Sequence, residues 1–443
     1  MIKNKFLTNT SWMIGGKIFQ MILSLLVSTI VVRYLGPSNY GLISYASSFI
    51  AFFSSICTLG LNGIIVRELV ENQHKQGEIL GTGIILRVVS SIISMIMILI
   101  MISIINSGDK ILLIVTFLQS ISLIFNSFDL INYWYQSKLQ SKYPTIIQSI
   151  AYIIMCIYRV IILVMEKDVR WFAFATTLDI IIISSMLVIF YYKQGGLKLS
   201  FSIKTGKNLL KQSYHFIFAG IMVAIYAQID KIMIGNMLDT KAVGLYSTAV
   251  SLCGIWSFIP GAFIDSARPL IMEQKNISEE IYIRRLKQLY SVIIWMSILY
   301  GIFITIFGKF IVVLLYGKEY IECVPALLIV VWYCSFSYLG SAKNIWLICE
   351  GKSKYEKWFT LLGAVTNIIL NLIFIPILGI KGAALATLAT QIMTNFIIPI
   401  IFKETRENSI YMLESLLLKD VISKSSRKNA IFKLRRKNIK STS

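Results

Sequence analysis

Residues 79–105 read ILGTGIILRVVSSIISMIMILIMISII, and Arg87 is the only charged residue among them. A helix needs about 20 mostly apolar residues to cross the hydrocarbon core of a bilayer. This stretch therefore predicts a membrane-spanning helix. Because lipid leaves free backbone polar groups unsatisfied, a chain that repeats such stretches folds as a helical bundle, not as the short alternating segments of a barrel.

The same criterion gives twelve spans along the chain. They lie at 12–33, 41–65, 79–105, 111–135, 145–165 and 169–192, and at 214–238, 242–266, 289–315, 324–349, 358–378 and 380–402. The predicted fold class is an all-α integral membrane protein with twelve transmembrane helices in two six-helix lobes around a central cavity. The lobes are residues 1–192 and 214–402.

Composition excludes a soluble domain and a disordered chain. Hydrophobic residues make up 56% of the 443 residues and charged residues only 15%, against about a quarter in soluble domains. The net charge of +21 is explained by topology. The connections and termini on one side contain 30 lysines and arginines and those on the other side contain eight, which places both termini in the cytoplasm. No solvated basic domain exists for nucleic acid, so no nucleic-acid partner is expected.

Two polar segments divide the chain. Residues 193–213 lack acidic side chains, are rich in lysine and glycine, and predict a cytoplasmic linker with an amphipathic helix on the anionic leaflet. Residues 403–443 form a basic cytoplasmic tail. From Lys419 onward this tail is expected to be disordered or to lie on a surface.

The two halves contain similar external turns. Shifting the sequence by 203 residues aligns LGPSNYGL at 35–42 with LDTKAVGL at 238–245, and Ser44 and Ala46 then meet Ser247 and Ala249. Six spans per half means that both halves enter the membrane in the same direction. The alignment therefore predicts a parallel repeat with a substrate cavity between the halves, although chance similarity remains the alternative.

Ionisable residues inside the predicted spans are candidate site residues, because burying a charge in hydrocarbon is costly. Lys17, Arg159 and Lys343 lie close enough to a membrane face that snorkelling is an equally good explanation. Arg87, Asp179 and Asp230 lie deeper, and pairing with neighbouring helices is the alternative for Arg87 and Asp179. Arginine and lysine in a cavity suit phosphate, and aromatic rings suit sugar faces.

The segment DLINYWYQ at 129–136 places candidate substrate-binding residues at the predicted cytoplasmic mouth. Asp129 supplies a carboxylate, Asn132 an amide and Trp134 an aromatic face. The other interpretation is an aromatic belt at the membrane interface. A cationic cavity that also contains amides and aromatic rings favours an anionic, sugar-containing, lipid-attached solute over a hydrophobic cation.

Neither a metal site nor enzymatic catalysis is expected. The six cysteines form no C-x-x-C pair and the chain has only two histidines, His74 and His215. The longest internal polar connections, 193–213 and 267–288, contain no acidic pair with metal-binding spacing. The sequence therefore predicts a protein that is not an enzyme and has no catalytic residues and no cofactor.

Five motifs resemble one family. They are YLGPSNYG at 34–41, DLINYWYQ at 129–136, YAQIDKIMIG at 226–235, LYGKEY at 315–320 and GAALAT at 382–387. Because these motifs occur in this order on twelve spans, the chain resembles the polysaccharide-export branch of the multidrug/oligosaccharidyl-lipid/polysaccharide exporter superfamily. This branch comprises the O-antigen and capsule repeat-unit flippases. The resemblance covers residues 5–402, and Ser137 stands where glycine is common in the family.

The resemblance implies movement of an undecaprenyl-diphosphate-linked oligosaccharide from the inner to the outer leaflet of the bacterial plasma membrane. Arg87 and Lys17 are then candidates for diphosphate or acidic-sugar contacts. Asp230 and Lys231 form either a structural pair or a coupling site for H⁺ or Na⁺, with the membrane potential as another energy source. The expected partners are the lipid-linked oligosaccharide, membrane lipids and a polysaccharide polymerase. The alternative function is a cation-coupled multidrug antiporter of the same superfamily.

Overall fold

The computed structural model describes residues 2–417, and it describes their side chains except at 2–14, 16–22, 24, 219 and 417. Within this range the chain is helical and contains no strand. Long apolar segments make every backbone hydrogen bond internally, which is the condition for a stable structure in hydrocarbon. The predicted all-helical architecture is confirmed.

The helices are numbered here in chain order. They are α1 Ile2–Cys57, α2 Asn62–Glu71, α3 Gln76–Ile105, α4 Lys110–Asn126, α5 Leu130–Ser137, α6 Lys142–Val164, α7 Val169–Lys193, α8 Ile203–Met237, α9 Thr240–Trp256, α10 Phe258–Lys275, α11 Glu279–Tyr316, α12 Val324–Cys349, α13 Lys354–Leu378, α14 Ile380–Ile392, α15 Ile398–Ile401 and α16 Arg406–Glu414. A single turn of π-helix, Met393–Ile397, joins α14 to α15.

Ten helical stretches of the described chain are long and apolar enough to cross a membrane, and the pair α9–α10, bent by 42°, makes eleven. The first of the ten, Leu25–Glu71, includes the end of the first predicted span and all of the second. It is broken at Gly36, which has φ 69° and ψ 170° and precedes Pro37. Glycine tolerates this positive φ, so the break falls at the predicted external turn. Counted on both sides of Gly36, the helices correspond to the twelve predicted spans.

Two helix ends lie away from the predicted span boundaries. The second span was predicted to continue to residue 65, but α1 ends at Cys57 and a turn with positive φ at Leu59 and Gly60 precedes α2. The seventh span was predicted to begin at residue 214, but α8 begins at Ile203. Ser202 explains this start, because its hydroxyl accepts a hydrogen bond from the Thr205 N–H and caps the helix.

The segment 196–202 is an extended strap on α3. The Ser200 N–H donates to the Gly77 carbonyl at 3.2 Å, and the Ser202 N–H donates to the Thr82 hydroxyl at 3.0 Å. The strap lies so close to α3 that a Cβ at Gly81 would be 2.4 Å from the Ser200 carbonyl oxygen. Two glycines one turn apart thus give the backbone of the strap its place on the helix.

By backbone contacts the chain divides into two compact units. Unit 1 contains the described residues up to Ile255 together with Phe307–Leu327 and Ala364–Thr387. Unit 2 contains Trp256–Ile306, Leu328–Gly363 and the described residues from Leu388 onward. The division into residues 1–192, a linker at 193–213 and residues 214–402 stays a prediction. So does the fate of the basic tail, which from residue 418 lies outside the described residues.

The two copies of the predicted external turn pack against each other within unit 1. A Cβ at Gly41 would lie 1.7 Å from the Thr240 carbonyl oxygen, and a Cβ at Gly244 would lie 2.0 Å from the Pro37 carbonyl oxygen. The repeat shift of 203 residues converts 37 into 240 and 41 into 244. Each glycine therefore touches the equivalent carbonyl of the other copy, as expected for a contact around a pseudo-twofold axis. Glycine permits such close approach between helices.

We expect Gly41→Ala and Gly244→Ala each to lower the melting temperature of the purified protein. The added methyl group overlaps a backbone carbonyl that cannot rotate away, and such overpacking costs about 1–3 kcal/mol. Gly254→Ala is the matched control, because it also lies on α9 and nothing lies within 4 Å of its Cβ position. Melting temperatures equal to that of Gly254→Ala would contradict the proposed crossing.

Candidate functional site

Arg87 is the centre of a buried polar cluster in unit 1. It lies on α3 with 4% exposure, and its guanidinium donates to the Asn62 side-chain oxygen on α2. Asp129 attracts it electrostatically, and the Asp129 carboxylate accepts a hydrogen bond from Asn132 one turn further along. Three of the predicted site residues, Arg87, Asp129 and Asn132, therefore lie together.

This cluster has unused hydrogen-bonding capacity. Among the described residues no hydrogen-bond partner is present for Nε of Arg87 or for the side-chain oxygen of Asn132, although both atoms are buried. Buried polar atoms normally have partners, and a guanidinium N–H can donate to an anionic group. Asn62 belongs to this cluster and was missed, because α2 was predicted as the end of a membrane span.

Trp134 does not belong to the Arg87 cluster or to an interfacial belt. It is 1% exposed in the core of unit 1, its Nε1 donates to Gln76 Oε1 at 2.9 Å, and its ring meets Tyr191 edge-on at 4.8 Å. Tyr135 beside it is also fully buried. The belt interpretation of 129–136 is therefore wrong for these two rings. The Lys138 ammonium lies 3.7 Å from the centroid of the Trp134 ring, and burial lowers the pKa of this lysine.

The remaining candidates of the first half lie elsewhere. Arg159 on α6 and Asp179 on α7 attract each other electrostatically, but no N–O distance within 4.0 Å joins them in the described structure. One carboxylate oxygen of Asp179 is buried and, among the described residues, has no hydrogen-bond partner. Lys17 lies on α1, but its side chain is outside the described residues.

Asp230 is the centre of a second buried polar cluster in unit 1. One carboxylate oxygen accepts from the Tyr246 hydroxyl at 2.8 Å and from the Thr387 hydroxyl at 2.5 Å. The other accepts from the Asn371 amide at 2.7 Å, and this amide also reaches Asn367 Oδ1 at 3.1 Å. Helices α8, α9, α13 and α14 thus meet at one carboxylate that is 8% exposed.

Lys231 follows Asp230 on α8 without bonding to it. No N–O distance within 4.0 Å joins the two side chains in the described structure, since consecutive helical residues point in different directions. Sequence reasoning missed the partners of Asp230. A signal for two of them was present, because Asn367 and Asn371 are one helical turn apart in an otherwise apolar stretch.

Lys343 is the centre of a third cluster, in unit 2. It is 1% exposed, and its ammonium donates to the Thr394 carbonyl and to Asn395 Oδ1, both at 3.2 Å. Glu356 Oε2 lies 3.6 Å away and the Phe359 ring 4.7 Å away. Snorkelling was the wrong explanation for Lys343, because its charge is turned inward. Thr394 and Asn395 lie in the π-helical turn, which is often a feature of functional sites.

We expect Glu356→Gln to destabilise the protein more than Lys343→Met does. Glutamine leaves a buried ammonium without its counter-charge, which costs about 1–3 kcal/mol. Methionine removes the buried charge, and Glu356, whose side chain is 39% exposed, can turn its carboxylate from the buried position of Oε2 toward solvent. Melting temperatures of the purified variants test this order, with the exposed Glu273→Gln as control. The opposite order would show that the ion pair does not stabilise unit 2.

The described part of the chain contains no group of three or more His, Cys, Asp or Glu side chains that could bind a metal ion. The three clusters each contain a single central charge with neutral or partly exposed partners.

Solved structures with the same fold are membrane transporters. A lipid II flippase, MurJ, in the inward closed conformation superposes with a TM-score of 0.69 at 17% identity, covering 92% of each chain. An inward-facing multidrug resistance MATE family transporter of the MOP superfamily gives 0.64 at 13% identity, covering 89% of this chain and 96% of that one. A eukaryotic MATE transporter gives 0.56 at 16%, covering 93% and 99%.

This likeness defines the class, a multi-pass membrane protein with the fold of the MOP exporters, and confirms the predicted fold class. The sequence model described as "Polysaccharide biosynthesis protein" matches residues 6–275, and the chain belongs to this family. The predicted resemblance to the polysaccharide-export branch of the superfamily is therefore confirmed. No curated protein matches the chain in sequence.

Proposed function

We propose that the protein is a flippase that moves an undecaprenyl-diphosphate-linked oligosaccharide repeat unit from the inner to the outer leaflet of the bacterial plasma membrane, for O-antigen or capsular polysaccharide. The family match over residues 6–275 carries the proposal. The likeness to a structure named as a lipid II flippase supports a lipid-linked substrate. Both termini are proposed to be cytoplasmic, and a polysaccharide polymerase is the proposed partner that uses the flipped unit.

A flippase of this kind needs a polar route for the headgroup. Moving a diphosphate and several sugars through bare hydrocarbon has a prohibitive desolvation cost. Arg87 supports the proposal, because it is a buried cation with an unpaired N–H beside the amide of Asn132. A guanidinium binds phosphate oxygens with two parallel hydrogen bonds, whereas an ammonium offers a point charge. Lys17, Asp129, Trp134, Arg159, Asp179 and Lys343 remain proposed contacts of the substrate or of the elements that hold it.

Loss of the gene should cause the lipid-linked repeat unit to accumulate in the inner leaflet and surface polymer to fall. Arg87→Ala should lower translocation without preventing membrane insertion, and Arg87→Lys should be milder because it keeps the charge. Translocation is measured in proteoliposomes that contain defined lipid-linked saccharides, and insertion is measured by the yield of folded protein. Equal activity of wild type and both variants would remove Arg87 from the site.

We also propose that Asp230 binds the coupling cation. Its carboxylate accepts hydrogen bonds from the Tyr246 and Thr387 hydroxyls and from the Asn371 amide nitrogen, and Oδ1 of Asn371 is buried with no hydrogen-bond partner among the described residues. A single carboxylate with neutral oxygen neighbours is balanced by one positive charge. A proton or Na⁺ would therefore fit better than a divalent ion, which prefers several carboxylates.

Asp230→Asn should abolish the dependence of translocation on an imposed Na⁺ or pH gradient. The amide has nearly the same shape but no charge to be balanced by a cation. Asp265→Asn serves as the control, because the Asp265 side chain is 75% exposed on α10. Translocation by proteoliposomes is measured with each gradient in turn. If Asp230→Asn responds to the gradients as wild type does, Asp230 is a structural residue.

The second candidate function is a cation-coupled multidrug antiporter. The fold likeness to MATE transporters and the buried carboxylate of Asp230 favour it. Ethidium efflux from cells that express the protein distinguishes the two functions. An antiporter expels the dye and leaves surface polymer unchanged when deleted, whereas a flippase does the reverse.

A further inference from the structure

A pocket of about 280 Å³ lies in unit 1 beside the Gly41–Gly244 crossing. Tyr40, which lines it, precedes Gly41, and Thr248, which also lines it, follows Gly244 by one helical turn. The pocket is therefore formed by both copies of the external turn together with the end of α11. None of the polar clusters around Arg87, Asp230 or Lys343 contributes a side chain to it.

The lining is rich in hydroxyl groups and carries no charge. Five of the eight residues that line the pocket bear a hydroxyl, namely Ser28, Tyr40, Thr248, Ser251 and Tyr316. The other three are aliphatic. Hydroxyl groups donate and accept hydrogen bonds in turn, so they match the hydroxyls of a sugar. An uncharged lining gives no compensation for burying a diphosphate or a sugar acid.

Tyr40, Ser251 and Thr248 retain hydrogen-bonding capacity for a ligand. The oxygen atoms of Tyr40 and Ser251 are 3.5 Å apart, at the outer limit of a hydrogen bond, so a ligand hydroxyl could compete with this contact. Thr248 donates to the Gly244 carbonyl at 2.8 Å, which leaves its oxygen free to accept. The Tyr316 ring is held by packing against Tyr320 with centroids 5.8 Å apart, and Tyr320 in turn donates to the Val32 carbonyl at 2.7 Å.

We infer that this pocket is a subsite for one neutral sugar of the headgroup. The inference rests on the proposed function and assigns a substrate class to a separate place in the molecule. Pockets for drug-sized ligands have volumes of about 300–1,000 Å³, so this pocket suits a single ring and not a whole repeat unit. Tyrosine faces pack on the C–H face of a sugar while the serine and threonine hydroxyls bind its edge.

The test compares the binding of two kinds of lipid by the purified full chain in detergent. One probe is undecaprenyl diphosphate, and the other probes are undecaprenyl diphosphates that carry one neutral hexose or one N-acetylhexosamine. The variants are Tyr40→Phe, Thr248→Val and Ser251→Ala. The control is Tyr158→Phe, which removes a hydroxyl of unit 1 that lies outside the pocket and contacts the Trp171 carbonyl at 3.4 Å.

We expect a sugar to tighten binding to the wild type and to the Tyr158→Phe control. In each pocket variant the affinity for the sugar-bearing lipids should fall about threefold to tenfold, which is the contribution of one neutral hydrogen bond. The affinity for the sugar-free lipid should not change. Ser251 is exposed, so Ser251→Ala tests the idea even if a more buried variant fails to fold.

Three results would overturn the inference. A sugar that adds no affinity while undecaprenyl diphosphate binds rejects the subsite and leaves the proposed function intact. A sugar-dependent gain that survives all three substitutions places the sugar elsewhere. Failure of every lipid to bind rejects the proposed function and, with it, the subsite that depends on it.

Discussion

A polar or charged group inside hydrocarbon must be partnered by protein, and this constraint explains the buried side chains of the structure. Asp230 receives three hydrogen bonds from three helices, and Lys343 is surrounded by carbonyl, amide, carboxylate and aromatic groups. Arg87 has fewer partners than its five donors require. The contrast separates two charges with several protein partners each from a guanidinium that has a buried donor without a partner.

The internal repeat acquires physical meaning from the glycine crossing. In the sequence the two turns share only a few residues, Leu35/Leu238 and Gly41/Gly244 among them. In the structure Gly41 faces the Thr240 carbonyl and Gly244 faces the Pro37 carbonyl, and the repeat shift converts one contact into the other. Chance similarity does not produce a reciprocal contact of this kind. Tyr40 and Thr248, which lie beside the two glycines, line the hydroxyl-rich pocket. The repeat contact and the proposed binding site therefore lie next to each other in unit 1.

Much of the fold was predictable because membrane spans follow from local composition. The twelve stretches, the break at Gly36 and the deep position of Arg87 and Asp230 could all be inferred from length and charge. The partners of these charges could not, because Asn371 and Thr387 are more than 140 residues from Asp230 and meet it only through helix packing. For the same reason Lys343 looked able to reach a membrane face, whereas Asn395 and Glu356 turn it inward.

The strap at 196–202 has a mechanical consequence. A connection without bonds to either repeat would let the two sequence repeats move independently. The segment 196–202 is instead hydrogen-bonded along α3 and leads directly into the capped start of α8. Because of these hydrogen bonds, a displacement of α3 would carry the first turn of α8 with it. Rotation of one repeat against the other would therefore have to occur outside the segment 196–202.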